Sequence, residues 1–290
     1  MFGFFLFKTQ YLKNIILLFL IFSTFFSIAQ NSNQYAEKLK ALRLACLDDD
    51  LSDELLQKNN ALFTRALKGY LESPNQIIYL DSIPYFSHLK SPDKVFDIFN
   101  WNLSYEDGSY EYFCLLRLNE TSEIIEFTDN SDKFYNPETK KLSSKDWFGA
   151  LYYEIIPVKD KPTYYLLLGW DGNNNFTTKK IIETLNFENE KINFGIPVFE
   201  SENGTKNRVI FEFSKSAVMS LRYQEKEKRI VFDHLAPFQE GADDFFEFYG
   251  PDLSFDAYQL KKGNWSYIKE VDVRAPNKMD NYIDPRKTRK

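Results

Sequence analysis

Residues 147–175 read WFGALYYEIIPVKDKPTYYLLLGWDGNNN, and the two aromatic runs within them decide the fold class. Runs 148–158 and 163–170 are rich in Tyr, Ile and Leu and flank a polar break, Lys159-Asp160-Lys161-Pro162. Aromatic and β-branched side chains suit a pleated surface, and a four-residue polar link containing proline suits a hairpin loop. In the second run Tyr165 and Leu167 share one face, and Tyr164, Leu166, Leu168 and Trp170 share the other. Glu154 is the one charge in the first run. Apolar residues on both faces predict a strand pair covered on both sides, in the middle of a sheet.

The same rhythm extends in both directions. Short apolar runs at 76–80, 85–89, 95–103, 110–118 and 123–128 are bounded by Pro, Asp, Gly, Ser or Asn. Ser91-Pro92-Asp93-Lys94 suits a type I turn, and Glu106-Asp107-Gly108-Ser109 a hairpin with glycine at positive φ. Beyond 175 the runs are 178–186, 191–200, 209–213, 218–223, 230–234, 245–249, 255–260 and 265–271. Residues 129–146 carry no periodicity and read as a long surface loop. Short strands joined by tight turns predict a mainly β, antiparallel meander: a sandwich, an open barrel or a small propeller. No repeat of 40–45 residues supports the propeller.

Upstream, 34–70 reads as a helical pair packed on this β domain of 74–274. Tyr35, Leu39, Leu42 and Cys46 recur at helical spacing. After Asp48-Asp49-Asp50, Ser52 is placed as the N-cap of a second helix, with Leu51 stapling to Leu56 and Gly69 as its stop. Its expected stripe is Leu55, Leu56, Leu62, Phe63, Ala66 and Leu67. Residues 275–290 are polar, end in RKTRK and read as a flexible basic tail.

The first 29 residues have the form of a secretory signal peptide. Lys8 and Lys13 precede an apolar run over 15–26, and Ser27-Ile28-Ala29 offers small residues for cleavage before Gln30. A membrane anchor is the competing reading, but a span needs about 20 apolar residues and this run is shorter. Export to the periplasm, the outer membrane or the exterior is therefore expected, with no transmembrane segment after cleavage. The chain carries 36 basic and 42 acidic residues, and loss of the two leader lysines takes its net charge from −6 to −8. That acidity argues against nucleic acid and anionic membrane as partners. Cys46 and Cys114 each sit in an apolar pattern, which favours separate core thiols over a disulfide.

Chemistry-bearing residues are few. The two histidines are His88, with nothing in sequence to suggest a partner, and His234, beside Asp233 at a strand end. Neighbours on a strand point to opposite faces, so Asp233 and His234 do not make a dyad. No GxSxG or HExxH is present. Trp170, Asp171, Asn173 and Asn175 form the densest polar cluster beside a core strand and are candidate binding residues. Asp171, Asn173 and Asn175 alternate as the first oxygens of a calcium loop do, but the twelfth position is Ile182 where a bidentate acid is required. Ordinary turn chemistry is the stronger reading; no cofactor is expected, with calcium as the one candidate. Asp243, Asp244, Glu247, Asp252 and Asp256 crowd an aromatic stretch over 241–258, a mixture suited to sugar. His234, Asp171, Asp252 and Asp256 are the catalytic candidates.

The phrases WFGALYYEIIPV, LLGWDGNN, RVIFEFSKSAVMSLRY, IVFDHLAP and YGPDLSFDAY, together with the leader, resemble a group of exported proteins of Gram-negative bacteria without established activity. The resemblance covers 91–274, implies periplasmic or surface placement and brings no catalytic residue. The expected function is a non-catalytic envelope-associated binding protein, its partner an envelope protein or a glycan. The alternative is a glycan hydrolase working through a carboxylate pair. Convergence of Asp171, His234 and the late acids in one pocket distinguishes the two.

Overall fold

The structure, a computed structural model, describes residues 34–48, 50–72, 80–159, 163–189, 191–201, 204–243 and 245–273. The leader, the strand expected over 76–80 (Leu80 excepted), the tip of the 159–162 link and the basic tail lie outside them. No helix of the described residues is long and apolar enough to cross a membrane. The fold is mainly β, with antiparallel sheets, two helices near the N-terminus and no closed barrel. The chain divides into two compact units, the first ending at Asp129 and the second starting at Asn130.

In the first unit, helices α1 (34–44) and α2 (Asp53–Leu71) precede four strands: β1 (Phe86–Lys90), β2 (Phe96–Ser104), β3 (Tyr110–Leu118) and β4 (Ile124–Thr128). The strands form an antiparallel meander in chain order. One core joins Leu39, Cys46, Leu56, Phe63 and Leu67 of the helical segment to Phe99, Trp101, Leu103 and Leu115 of the sheet. Phe63 meets Trp101 edge-on at 5.1 Å, and the indole N–H donates to the buried Asn60 Oδ1 at 2.7 Å. A buried indole requires such an acceptor.

The helical readings need correction in detail. Tyr35 is exposed, and the buried positions of the first helical segment are Ala36, Leu39, Arg43 and Cys46. Leu55 and Leu62 are likewise exposed, while Asn60, Tyr70 and Leu71 are buried. Ser52 occupies the N-cap position in extended conformation without a side-chain cap bond. Gly69 does not stop α2, because Tyr70 and Leu71 carry it one half-turn further into the core. Cys46 and Cys114 are free and buried.

The second unit contains β5 (Leu142–Ser143), β6 (Leu151–Val158), β7 (Tyr164–Asp171), β8 (Thr177–Glu188), β9 (Lys191–Phe194), β10 (Phe199–Ser201) and β11 (Gly204–Lys206). These are followed by β12 (Val209–Ser214), β13 (Leu221–Gln224), β14 (Arg229–Pro237), β15 (Tyr249–Lys261) and β16 (Asn264–Ile268). One sheet runs β5-β9-β8-β7-β6 with β12 also on β8, and the other runs β11-β10-β16-β15-β14-β13. Both contribute to one core: Tyr164, Leu166, Leu168 and Ile182 from the first, Phe199, Ile230, Phe232 and Trp265 from the second. The Trp265 indole crosses that core to donate to Tyr164 Oη at 2.9 Å. β6 and β7 pair as expected, and β7 is buried on both faces. β6, however, ends its sheet instead of lying inside it. Residues 245–249, read as a strand, form a 3-10 turn (Phe246–Phe248) leading into β15.

Residues 130–146 are not a free surface loop. They hold two 3-10 turns, Ser131–Lys133 and Pro137–Thr139, and β5. The fully buried Arg208 pins them: its Nη1 donates to the carbonyls of Pro137 and Lys140, and its Nε to Glu183 Oε2 at 2.6 Å. Burial pushes the Glu183 carboxyl up, and Arg208 offsets part of that rise. Gly195, at φ +87°, lies where a Cβ would sit 2.4 Å from the Lys140 carbonyl. Only glycine fits there without displacement.

Candidate functional site

Three constellations in the second unit carry the polar residues singled out in the sequence. The first is built on β7, β8 and β12. Register places Asp171 opposite Lys179, and Lys179 opposite Glu212. The Lys179 ammonium lies 2.7 Å from Asn173 Oδ1 and 3.9 Å from both Asp171 Oδ2 and Glu212 Oε2. Asn173 sits at φ +55°, where its own N–H donates to Asp171 Oδ1 at 2.7 Å, an Asx turn. Asn174 Oδ1 accepts from the Phe176 and Thr177 amides at 2.8 and 2.9 Å, and Thr177 Oγ1 donates to Glu212 Oε1 at 2.7 Å. Lys179, Thr177 and Glu212 escaped the sequence reading, although Lys179 is discoverable as the cross-strand partner of Asp171 once the hairpin is registered. Of the three calcium candidates, Asp171 and Asn173 direct an oxygen at the Lys179 ammonium.

The second constellation lies on β14–β16. Three residues of β15, Asp252, Leu253 and Ser254, oppose His234 alone between the pairs Asp233–Phe255 and Leu235–Pro251. This bulge puts Leu253 at φ +74° with its side chain almost fully exposed, and re-aims the strand. His234 Nδ1 lies 2.7 Å from Oδ2 of the buried Asp256, its diagonal neighbour across the register. Asp256 also accepts from the Tyr267 hydroxyl and, on Oδ1, from the Glu270 amide at 2.9 Å. Burial pushes the Asp256 carboxyl up, but these donors outweigh it and hold the group below the usual carboxylate range. Tyr267 is pushed upward by burial and by the carboxylate it serves. Asp252 is also held low, first by the Ser254 hydroxyl. As expected, Asp233 is no partner of His234; it accepts from the Ser220 amide at 2.6 Å.

The same pairing corrects the reading of His88 in the first unit. Its Nε2 lies 3.0 Å from Asp97 Oδ2 and its ring stacks on Phe99 at 4.5 Å. That pair belongs to neighbouring strands, diagonal across the β1–β2 register.

The third constellation is a groove of about 510 Å³ lined by Asn175, Phe176, Ser214, Ser216, Glu247 and Phe248, with Lys215 at its side. It contains neither Asp171 nor His234. The turn 171–177 contributes Phe176, which is 67% exposed, while the end of β12 contributes Ser214 and the loop after it Ser216. Lys215 ties these two loops together, its N–H donating to Phe176 O at 2.9 Å and its ammonium to Asn174 O at 2.8 Å. The 3-10 turn before β15 supplies Glu247 and Phe248, with Phe245 and Phe246 exposed beside them. Phe248 packs edge-on against the exposed Phe238 at 6.1 Å. Asn175 and Glu247 thus join the groove, while Trp170 stays half-buried on β7 and Asp244 lies outside the described residues. The polar sites of the sequence are therefore distributed over different sheets and loops.

No family model, curated protein or solved structure matches the chain.

Proposed function

We propose that the chain is an exported, non-catalytic binding protein whose ligand is an extracytoplasmic glycan held in the groove between Phe176 and Phe248. The observation that carries this reading is the lining itself. Two aromatic rings flank neutral hydrogen-bonding groups, Ser214, Ser216 and Asn175, with Glu247 and Lys215 as the charges. Sugars present apolar C–H faces to rings and hydroxyls to such groups, and 510 Å³ falls within the range of small-ligand clefts, about 300–1,000 Å³. Exposed phenylalanines are costly to solvate, and Phe176, which lines the groove, is 67% exposed. The apolar, cleavable form of residues 1–29 supports export.

Glycan hydrolysis fits the geometry less well. It needs two carboxylates facing one another across the substrate, one of them raised in pKa to act as acid. Among the described residues the groove is lined by one carboxylate, Glu247. Asp252 and Asp256 are both held low, and Asp171 serves the turn network.

A glycan array probed with the labelled protein tests the proposal. Binding to a limited set of oligosaccharides is expected, lost in Phe176→Ala. An empty array, or binding unaffected by that change, contradicts it.

A further inference from the structure

We propose that His234 and Asp252 form a binding site for a divalent transition-metal ion of the zinc class, with Asp256 as the residue that positions the imidazole. This site is separate from the groove and does not rest on the glycan reading. Three observations lead to it.

The imidazole is oriented as metal-binding histidines are. Asp256 is buried and acceptor-only when ionised, so the 2.7 Å contact at Nδ1 places the proton there and leaves the lone pair on Nε2, the nitrogen nearer Asp252. A carboxylate behind the imidazole is the usual outer partner of a metal-bound histidine. Asp256 is itself held by the Tyr267 hydroxyl and the Glu270 amide, so the ring has one defined direction.

Asp252 is also pre-aimed. Its Oδ1 accepts from both the Ser254 amide at 3.0 Å and the Ser254 hydroxyl at 2.7 Å. Its other oxygen, Oδ2, faces His234 Nε2 at 3.9 Å. That gap is too long for a hydrogen bond. Zinc binds imidazole nitrogen at about 2.0–2.1 Å and carboxylate oxygen at about 2.0–2.2 Å, so an ion fits between these two atoms with little movement.

Register brings the two residues together: Asp252, Leu253 and Ser254 all oppose His234 between the pairs Asp233–Phe255 and Leu235–Pro251. Both side chains are a little over a third exposed, which leaves open positions for water or an oxygen of an outside ligand. No group of three or more His, Cys, Asp or Glu side chains surrounds a metal position among the described residues, so the site provides two protein ligands and takes the rest from solvent. Nitrogen with carboxylate oxygen selects zinc, copper, nickel or cobalt over magnesium and calcium.

The test is calorimetric titration of the chelator-treated full chain with Zn²⁺, supported by the visible spectrum of the Co²⁺ form. One site is expected in the wild type. His234→Gln removes it, while His88→Gln leaves it unchanged. Asp252→Asn, at an exposed side chain, weakens binding at least tenfold, and Asp256→Asn weakens it roughly 10–100-fold. Circular dichroism confirms that each variant is folded. Zn²⁺ binding in His234→Gln or Asp252→Asn equal to that of the wild type overturns the proposal, as does the absence of binding by the wild type at millimolar Zn²⁺.

Discussion

Replacing Arg208 by Met removes the cation from the fully buried Glu183 and the donor from the carbonyls of Pro137 and Lys140. Breaking a buried ion pair from one side costs about 3–5 kcal/mol, because the remaining charge is stranded in a medium that solvates it poorly. For a unit of this size each kcal/mol corresponds to about 2–4 °C, so the second unit should melt roughly 6–20 °C lower. The loss should also depend on pH in a defined direction. Burial raises the carboxyl of Glu183 in the folded state, and without Arg208 only the Thr184 and Gly195 amides remain to offset that rise. A folded-state pKa above the unfolded one means the folded chain binds the proton more tightly. The stability contributed is then present below the usual glutamate range and is lost as pH rises through the raised value. The deficit of Arg208→Met relative to wild type should therefore shrink on moving from pH 7 to pH 5. Glu183→Gln combined with Arg208→Met should cost less than the sum of the single changes, since no charge is then left buried. Calorimetric melts of the four proteins at both pH values measure this. A cost below about 1 kcal/mol, or a deficit independent of pH, would refute the argument that Arg208 neutralises a buried carboxylate.

Three further outcomes follow from the same physics. Asn60→Ala strands the Trp101 indole N–H in the core of the first unit and should cost about 1–3 kcal/mol in urea denaturation followed by tryptophan fluorescence. Gly195→Ala puts a Cβ against the Lys140 carbonyl at positive φ, and a loss of about 1–3 kcal/mol is expected in the same assay. Calcium should leave the melting temperature unchanged, because the Lys179 ammonium already faces the oxygens of Asp171, Asn173 and Glu212. A calcium-dependent rise lost in Asp171→Ala would reverse that assignment.

What the sequence reveals of this molecule is its local order. The alternation in 163–170, the turn residues and the helical spacing of Leu56, Phe63 and Leu67 locate strands and helices to within a few residues. Order imposed from far along the chain is invisible to local pattern. Residues 130–146 look aperiodic because their positions are set by Arg208, about 70 residues away, and not by their own apolar spacing. Tyr35 and Leu62 match the helical period yet face outward, since the sheet covers only part of each helix. The His234–Asp256 contact is a diagonal one that depends on the register of β14 against β15, which local alternation does not supply, although both residues are candidates on chemistry alone. Similarly, 245–249 has the composition of a strand but turns at Phe246–Phe248, which is what brings Glu247 and Phe248 to the groove.

The central claim is that the Phe176–Phe248 groove binds a glycan, and the most direct test is a melting comparison of wild type and Phe176→Ala with one array-selected oligosaccharide. At a hundredfold excess over its dissociation constant, a ligand specific to the folded state stabilises by about 2.7 kcal/mol. That corresponds to a rise of about 5–10 °C in the wild type. The account predicts this rise in the wild type and its loss in Phe176→Ala, with the two proteins melting alike without sugar. Equal shifts in both proteins, or none in the wild type, would contradict it.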